Sequence, residues 1–183
     1  MGRLWIRSRC FAEKGYESTS IEEITATVGV AKGTLYYHFS SKEEIFNFLV
    51  EEGMKLLKNS IQIKTAKLDN SIDKIKAIIL IQVKVLKKYE NLITIVLSQI
   101  WGTEERNTTC RRYVMDYIKT VEKIIKEGIE KQEIIDMDSE VLASEIFAST
   151  CTSLIYKMKT NQEIDIKKMY TELETSVIKG IKR

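Results

Sequence analysis

The sequence predicts an all-helical protein. None of the 183 residues is proline and only 8 are glycine, so few residues favour the turns that a multi-stranded sheet needs. Apolar residues instead recur three and four positions apart along most of the chain, which is the spacing of one face of an α-helix. Because 44% of the residues are hydrophobic and 30% are charged, the composition is that of a globular protein with a buried core.

Two short helices joined at a glycine are predicted near the N-terminus. Ser20 and Glu23 match a capping box, in which each side chain binds the backbone N–H of the other residue. Gly29 is expected to end the helix that follows this cap. A second helix fits Lys32–His38. Two short helices joined in this way are typical of a helix-turn-helix.

A longer helix completes this first group. Its start signal is either Ser41 with Glu44 or Ser40 with Glu43, and the sequence leaves these two registers equally good. Apolar residues at helical spacing then continue the helix toward Leu57.

Beyond a polar stretch at residues 65–70, the chain predicts helices with wider apolar faces. The first has an apolar stripe from Ile72 to Leu86, and the second is Leu92–Trp101, closed by Gly102. The third is a long helix that apolar residues mark from Tyr113 to Ile129 and that ends before Asp136. A segment capped by Asp138 or Ser139 follows, and the final helix has an apolar face from Ile166 to Ile181. The first of these helices is apolar around so much of its circumference that we expect it to be central. About nine helices are expected in all.

The last two predicted helices differ from the others in composition. The first is rich in small residues, which allow close approach between helices: Ala143, Ser144, Ala148, Ser149, Thr150, Cys151, Thr152 and Ser153. The second has one apolar face that must be buried. These features fit a symmetric dimer interface, and they fit packing within one chain equally well.

Several classes of protein are excluded by what the sequence lacks. One histidine and three dispersed cysteines, Cys10, Cys110 and Cys151, cannot form a zinc site from sequence neighbours or a disulfide framework. No apolar run approaches the roughly 18 residues that span a membrane. There is no glycine-rich phosphate loop, nucleophile elbow or paired-carboxylate signature. We therefore expect a cytoplasmic protein that is not an enzyme and that has no metal or cofactor.

One segment carries a small basic surface. From Val28 to Lys42 there is no acidic residue, while Lys32, His38 and Lys42 are present with Tyr36 and Tyr37 among them. Basic residues interleaved with aromatic ones suit a nucleic-acid backbone. Taken alone, the same residues would also fit a solvated helix face.

The same region resembles a known family. The segment from Phe11 to Ile24, FAEKGYESTSIEEI, and the segment from Gly29 to Glu44, GVAKGTLYYHFSSKEE, resemble the DNA-binding domain of TetR-family transcriptional regulators. The resemblance implies that residues 1–46 form a helix-turn-helix DNA-binding domain and that residues 47–183 form a helical effector-binding and dimerisation domain. It also implies a homodimeric repressor, paired through the last two helices, that a small molecule releases from a palindromic operator in double-stranded DNA.

By this resemblance a set of residues in and beside the second motif helix lines the DNA: Ala31, Lys32, Gly33, Thr34, Tyr36, Tyr37, His38 and Lys42. Lys32 suits a guanine edge or a phosphate, and Thr34 suits a thymine methyl or a phosphate. Partial burial is an alternative for Tyr37. Leu35 and Phe39 are expected in the core.

The sequence departs from the family pattern in two places. Ile6, Arg7 and Cys10 stand where the family's first helix usually has alanines and an apolar residue, and Arg7 is a candidate phosphate contact. Thr25 stands where the family mostly has alanine, and its β-branched side chain can alter the packing of the two motif helices.

The effector candidates are aromatic or polarizable residues of the middle helices: Tyr89, Trp101, Tyr113, Tyr117, Phe147 and Cys151. Each of them can also be ordinary core. Because the middle helices are mostly aliphatic, the sequence favours a lipophilic effector such as an acyl chain. The alternative function is a DNA-bound adaptor or nucleoid factor with a protein partner in place of a small effector.

Overall fold

The computed structural model describes residues 10–100 and 102–182, and these residues form helices. The chain contains the described end of a first helix, α1, at residues 10–14, followed by α2 (Ile21–Val28), α3 (Lys32–His38), α4 (Lys42–Thr65), α5 (Ser71–Lys88), α6 (Glu90–Gln99), α7 (Glu105–Glu130), α8 (Ser139–Lys159) and α9 (Ile166–Ile181). The prediction of about nine helices is confirmed for this part of the chain. One isolated β-bridge, between Ile134 and Lys182, accompanies them.

The predicted caps at the motif helices are present. The hydroxyl of Ser20 accepts a hydrogen bond from the backbone N–H of Glu23, and the Glu23 carboxylate accepts one from the backbone N–H of Ser20 at 2.9 Å. Gly29 ends α2 with φ +70°, a conformation that costs a residue with a Cβ about 1–2 kcal/mol. α4 begins in the Ser41 register, because the Ser41 hydroxyl accepts from the N–H of Glu44.

The helices divide between two compact units. The first contains the described residues up to Met54 together with those of Tyr89–Tyr113, and the second contains Lys55–Lys88 with the described residues from Val114 onward. In the first unit α2 packs against α3, and the core includes Phe11, Ile24, Leu35, Phe46 and Leu49. The rings of Phe11 and Phe46 meet edge to face, with their centroids 5.6 Å apart.

In the second unit α5 packs against both α8 and α9, and α8 also contacts α9. Ile75, Ile78 and Val83 of α5 are completely buried, which agrees with the expectation that this helix is central. Within this unit Met169, Val177 and Ile181 of α9 are also buried, so part of the apolar face of α9 is used inside one chain.

Candidate functional site

Helix α3 presents the predicted DNA-binding residues at the surface of the first unit. Ala31, Lys32, Gly33, Thr34 and His38 are exposed, as are the rings of Tyr36 and Tyr37, with exposed fractions of 49% and 85%. The alternative of partial burial for Tyr37 is therefore wrong. The ring of Tyr37 meets the imidazole of His38 edge to face, with centroids 5.1 Å apart.

The opposite face of α3 attaches the helix to its unit. Leu35 is 2% exposed, and Phe39 at the C-cap is half-buried with its ring centroid 5.3 Å from that of Phe48. Leu35 is in the core, as expected, whereas Phe39 is only partly buried. Because one face of α3 is held in this way, the exposed face has a fixed orientation within the unit.

Lys42, the first residue of α4, has a structural role within the same unit. Its Nζ donates to the carbonyl oxygens of Tyr16 and Glu17 at 2.9 and 3.2 Å and lies 4.4 Å from the centroid of the Tyr16 ring. An ammonium group has three hydrogens, so one donor remains for a phosphate. The prediction that Lys42 lines the DNA stays a prediction.

The two departures from the family pattern have different outcomes. Thr25 is buried, and its hydroxyl donates to the carbonyl oxygen of Glu22 at 2.8 Å, so α2 itself satisfies the polar group. Cys10 is buried, and its sulfur lies 2.9 Å from the Thr27 hydroxyl oxygen. Ile6 and Arg7 lie outside the described residues, so the candidate phosphate contact of Arg7 stays a prediction.

The second unit brings three of the effector candidates into one buried region. The rings of Tyr117 and Phe147 have centroids 5.3 Å apart, and burial is the main cause that raises the pKa of the Tyr117 phenol, with a smaller effect from Cys151. Burial also raises the pKa of the Cys151 thiol. These three groups are neutral at physiological pH and suit an apolar ligand better than an anionic one.

The other effector candidates are placed differently. Tyr89 and Tyr113 are half-buried in the first unit, where burial followed by a hydrogen bond with Glu51 raises the pKa of Tyr113. Trp101 lies outside the described residues.

A buried polar chain in the second unit was missed by the sequence analysis. The Gln82 side chain donates from Nε2 to the Tyr117 hydroxyl at 2.6 Å, and its Oε1 accepts from the Thr150 hydroxyl at 3.0 Å. All three side chains are at most 1% exposed. The available signal was one glutamine among the apolar residues of α5, since a fully buried amide needs partners.

Two negative results apply only to the described part of the chain. It has no group of three or more His, Cys, Asp or Glu side chains placed to hold a metal ion. None of its helices combines the length and the hydropathy that a membrane span requires.

Comparison with known proteins gives matches at both the sequence and the structural level. The family model for bacterial regulatory proteins of the tetR family matches residues 8–49. A curated relative, the negative transcriptional regulator IcaR of the biofilm operon icaADBC from Staphylococcus aureus, is 40% identical over 63 residues. That match covers 34% of this chain and 34% of IcaR, so the chain matches about a third of the length of this curated relative.

Solved structures match nearly the whole chain. A putative fatty acid metabolism regulator from Clostridium perfringens is 32% identical with a TM-score of 0.92, and the match covers 98% of each chain. FadR from Bacillus subtilis, solved in complex with stearoyl-CoA, has a TM-score of 0.86 at 21% identity and is also covered at 98%. The first similarity extends to sequence, whereas the second concerns the fold.

Proposed function

Because the chain belongs to the TetR family of transcriptional regulators, whose members are not enzymes, we propose that it is a cytoplasmic homodimeric repressor released from its operator by an acyl-CoA. Each subunit inserts α3 into the major groove at one half of a palindromic site. The observation that carries this proposal is the exposed face of α3, where Lys32, Thr34, Tyr36 and Tyr37 are presented together while Leu35 anchors the helix.

The proposed residue roles follow from side-chain chemistry. Lys32 and Thr34 read base edges, while Tyr36, Tyr37 and His38 donate to phosphates. Gly33 and Ala31 allow the backbone to approach the groove, and Lys42 adds positive charge at the start of α4. The functional division is residues 1–46 for DNA binding and residues 47–183 for effector binding and dimerisation.

An acyl chain is the effector class that two observations support. The side chains of Tyr117, Phe147 and Cys151 lie in one buried region of the second unit and carry no charge, and uncharged, mostly apolar surroundings suit an acyl chain. Among the structurally similar proteins, one is named a putative fatty acid metabolism regulator and another was solved with stearoyl-CoA. Tyr89, Trp101 and Tyr113 remain further candidates for contact with the effector.

Release depends on how much more tightly the effector binds one conformation of the repressor than the other. An effector empties the operator only if it binds the non-DNA-binding conformation more tightly than the other, by roughly 5 kcal/mol for a nearly complete switch. Testing CoA and stearate separately, beside stearoyl-CoA, shows how much the head group and the acyl chain each contribute to this difference in affinity.

The test is selection of binding sites from random duplex DNA, followed by titration of the selected duplex at several salt concentrations. We expect a palindromic site, a steep salt dependence, and release by stearoyl-CoA but not by CoA. Thr34→Ala should weaken binding to that site, whereas Thr160→Ala, an exposed threonine of the second unit, should not. Sequence-independent binding alone would contradict the repressor function. Operator binding without any response to acyl-CoA would favour the adaptor alternative.

A further inference from the structure

Helix α3 carries an ion pair that extends the candidate DNA surface onto α2. Nζ of Lys32, the first residue of α3, pairs with Oε1 of Glu22 in the first turn of α2. Their side chains are 54% and 64% exposed, so the outer side of the pair is open to a ligand. Nζ also lies 5.8 Å from the ring centroid of Tyr36, which places the pair beside another residue of the exposed α3 face.

Two other lysines of the described part of the first unit have partners of their own. Lys14 pairs with Glu23, and Lys42 donates to two backbone carbonyls. No acidic residue occurs in α3 itself. The hydrogen bond from Lys32 is the main cause that lowers the pKa of Glu22 below its ordinary value, so the carboxylate is an obligate acceptor at neutral pH.

We propose that Glu22 is a second base-reading residue and that Glu22 and Lys32 together read one G·C pair in each half-site. This inference rests on the proposed function, because it requires α3 to enter the major groove. It differs from that function in assigning sequence readout to a residue of α2.

The chemistry of the base edges supports G·C. Across the major groove this pair presents two neighbouring acceptors, guanine N7 and O6, followed by one donor, the cytosine N4 amino group. A lysine ammonium and a glutamate carboxylate side by side match that order, with Lys32 on guanine and Glu22 on cytosine. An A·T pair places its donor between two acceptors and adds the thymine methyl, so Lys32 would meet one acceptor instead of two.

The same pair has a second consequence, for binding that is independent of sequence. A carboxylate near the phosphates is repelled, and Lys32 contributes its full charge to the backbone only when it leaves Glu22. The ion pair therefore lowers the affinity for all DNA, while it increases the difference in affinity between a site with the correct base pair and one with an incorrect base pair.

The test compares the wild-type full-length chain with Glu22→Gln and Lys32→Met on the selected operator and on duplexes with each base pair replaced in turn. Glu163→Gln is the control, because it makes the same change of charge at an exposed residue of the second unit. Glu22 is exposed and the N-cap of α2 is Ser20, so Glu22→Gln should keep the fold, and a melting curve checks this.

We expect the wild type to prefer G·C over A·T at one position of each half-site by about tenfold. Glu22→Gln and Lys32→Met should both lose that preference at the same position. Glu22→Gln should also bind unrelated DNA more tightly than Glu163→Gln does.

Two results would overturn the proposal that Glu22 and Lys32 read the same base pair, while leaving the repressor function intact. In one, Glu22→Gln changes affinity equally for every duplex; in the other, the two variants lose preference at different base pairs. If the wild type selects no palindrome at all, the proposed function itself fails and the inference fails with it.

Discussion

The guanidinium carbon of Arg106 lies 4.2 Å from the centroid of the Tyr16 ring. Arg106 stands in the first turn of α7, and its three donor groups also bind Glu17, Glu104 and Gln99. Tyr16 in turn contacts Phe46, with ring centroids 5.2 Å apart. Within the first unit, this one side chain therefore joins the segment that follows α1 to the start of α7 and the end of α6.

We expect Arg106→Ala to destabilise the first unit by about 1–2 kcal/mol, because a partly buried cation–π contact is lost together with hydrogen bonds to charged groups. Operator affinity should fall as well, since Tyr16 and Glu17 supply the carbonyls that hold Lys42. Urea unfolding measures the first effect and fluorescence anisotropy the second. Arg112→Ala is the control, because Arg112 is exposed and lies farther from its aromatic neighbour, Tyr113, at 5.4 Å. Equal stability of the two variants would show that the Arg106 contacts contribute little.

Two glycines of the motif provide a matched pair. An added Cβ would meet no atom within 4 Å at either Gly29 or Gly33, but only Gly29 has a positive φ. Gly29→Ala should therefore lower stability by about 1 kcal/mol through backbone strain alone. Gly33→Ala should raise helix stability by about 0.5–1 kcal/mol, while weakening operator binding by placing a methyl group at the groove. Melting curves and DNA titrations separate these effects, and tighter DNA binding by Gly33→Ala would contradict the proposed close approach.

Features set by residues that are close in sequence could be predicted, whereas contacts between residues far apart in sequence could not. The bounds of α3 and the caps at Ser20, Gly29 and Asp138 depend on residues a few positions apart, so a linear pattern contains them. The apolar pattern indicated α4 as far as Leu57, and the helix continues to Thr65 and buries Ile61 in this last stretch.

Candidate-site features that depend on tertiary packing were not predictable in the same way. Lys32 was predicted to contact DNA because of its charge, but its pairing with Glu22 depends on how α2 packs against α3. The contact between Arg106 and Tyr16 spans 90 positions of the chain. A sequence pattern gives the type of each residue, whereas only the packed helices determine which polar groups meet.

The buried chain of Thr150, Gln82 and Tyr117 gives a prediction for the second unit. Tyr117→Phe removes the acceptor of the Gln82 amide, and a buried donor without a partner costs about 1–3 kcal/mol. Adding Gln82→Leu should recover part of this loss, because the Thr150 hydroxyl can still donate to the carbonyl oxygen of Ile146. Urea unfolding without DNA measures both variants, with Tyr37→Phe, an exposed tyrosine of the first unit, as the control. A double variant less stable than Tyr117→Phe would contradict the role of the unpaired amide.

The capping box at α2 predicts a pH dependence of stability. The hydrogen bond from Lys14, followed by that from the Ser20 backbone, lowers the pKa of Glu23 to about 2, against about 4.3 in an unfolded chain. A lowered pKa means that the carboxylate stabilises the folded state above pH 4.3 and that this contribution is lost as the pH falls toward 2. Glu23→Gln should therefore melt below the wild type at pH 6, and the difference should shrink between pH 4.3 and 2. A difference that stays constant over this range would show that the carboxylate charge is not responsible.

The exposed face of α8 gives the prediction for dimerisation. Val141, Ala148, Thr152 and Tyr156 are exposed at spacings of seven and four residues, which puts them on one side of the helix. Val141→Glu should shift the protein toward monomers in light scattering, because an interface buries an unpaired charge only at a cost of several kcal/mol. Met115→Glu is the matched control, since Met115 of α7 is 52% exposed against 57% for Val141.

If both variants remain dimeric, the interface lies elsewhere. If both become monomeric, α7 also contributes to it. Loss of dimers in Val141→Glu alone, together with weaker binding to a palindrome but unchanged binding to a half-site, would tie this face of α8 to the way that two α3 helices are held at one operator.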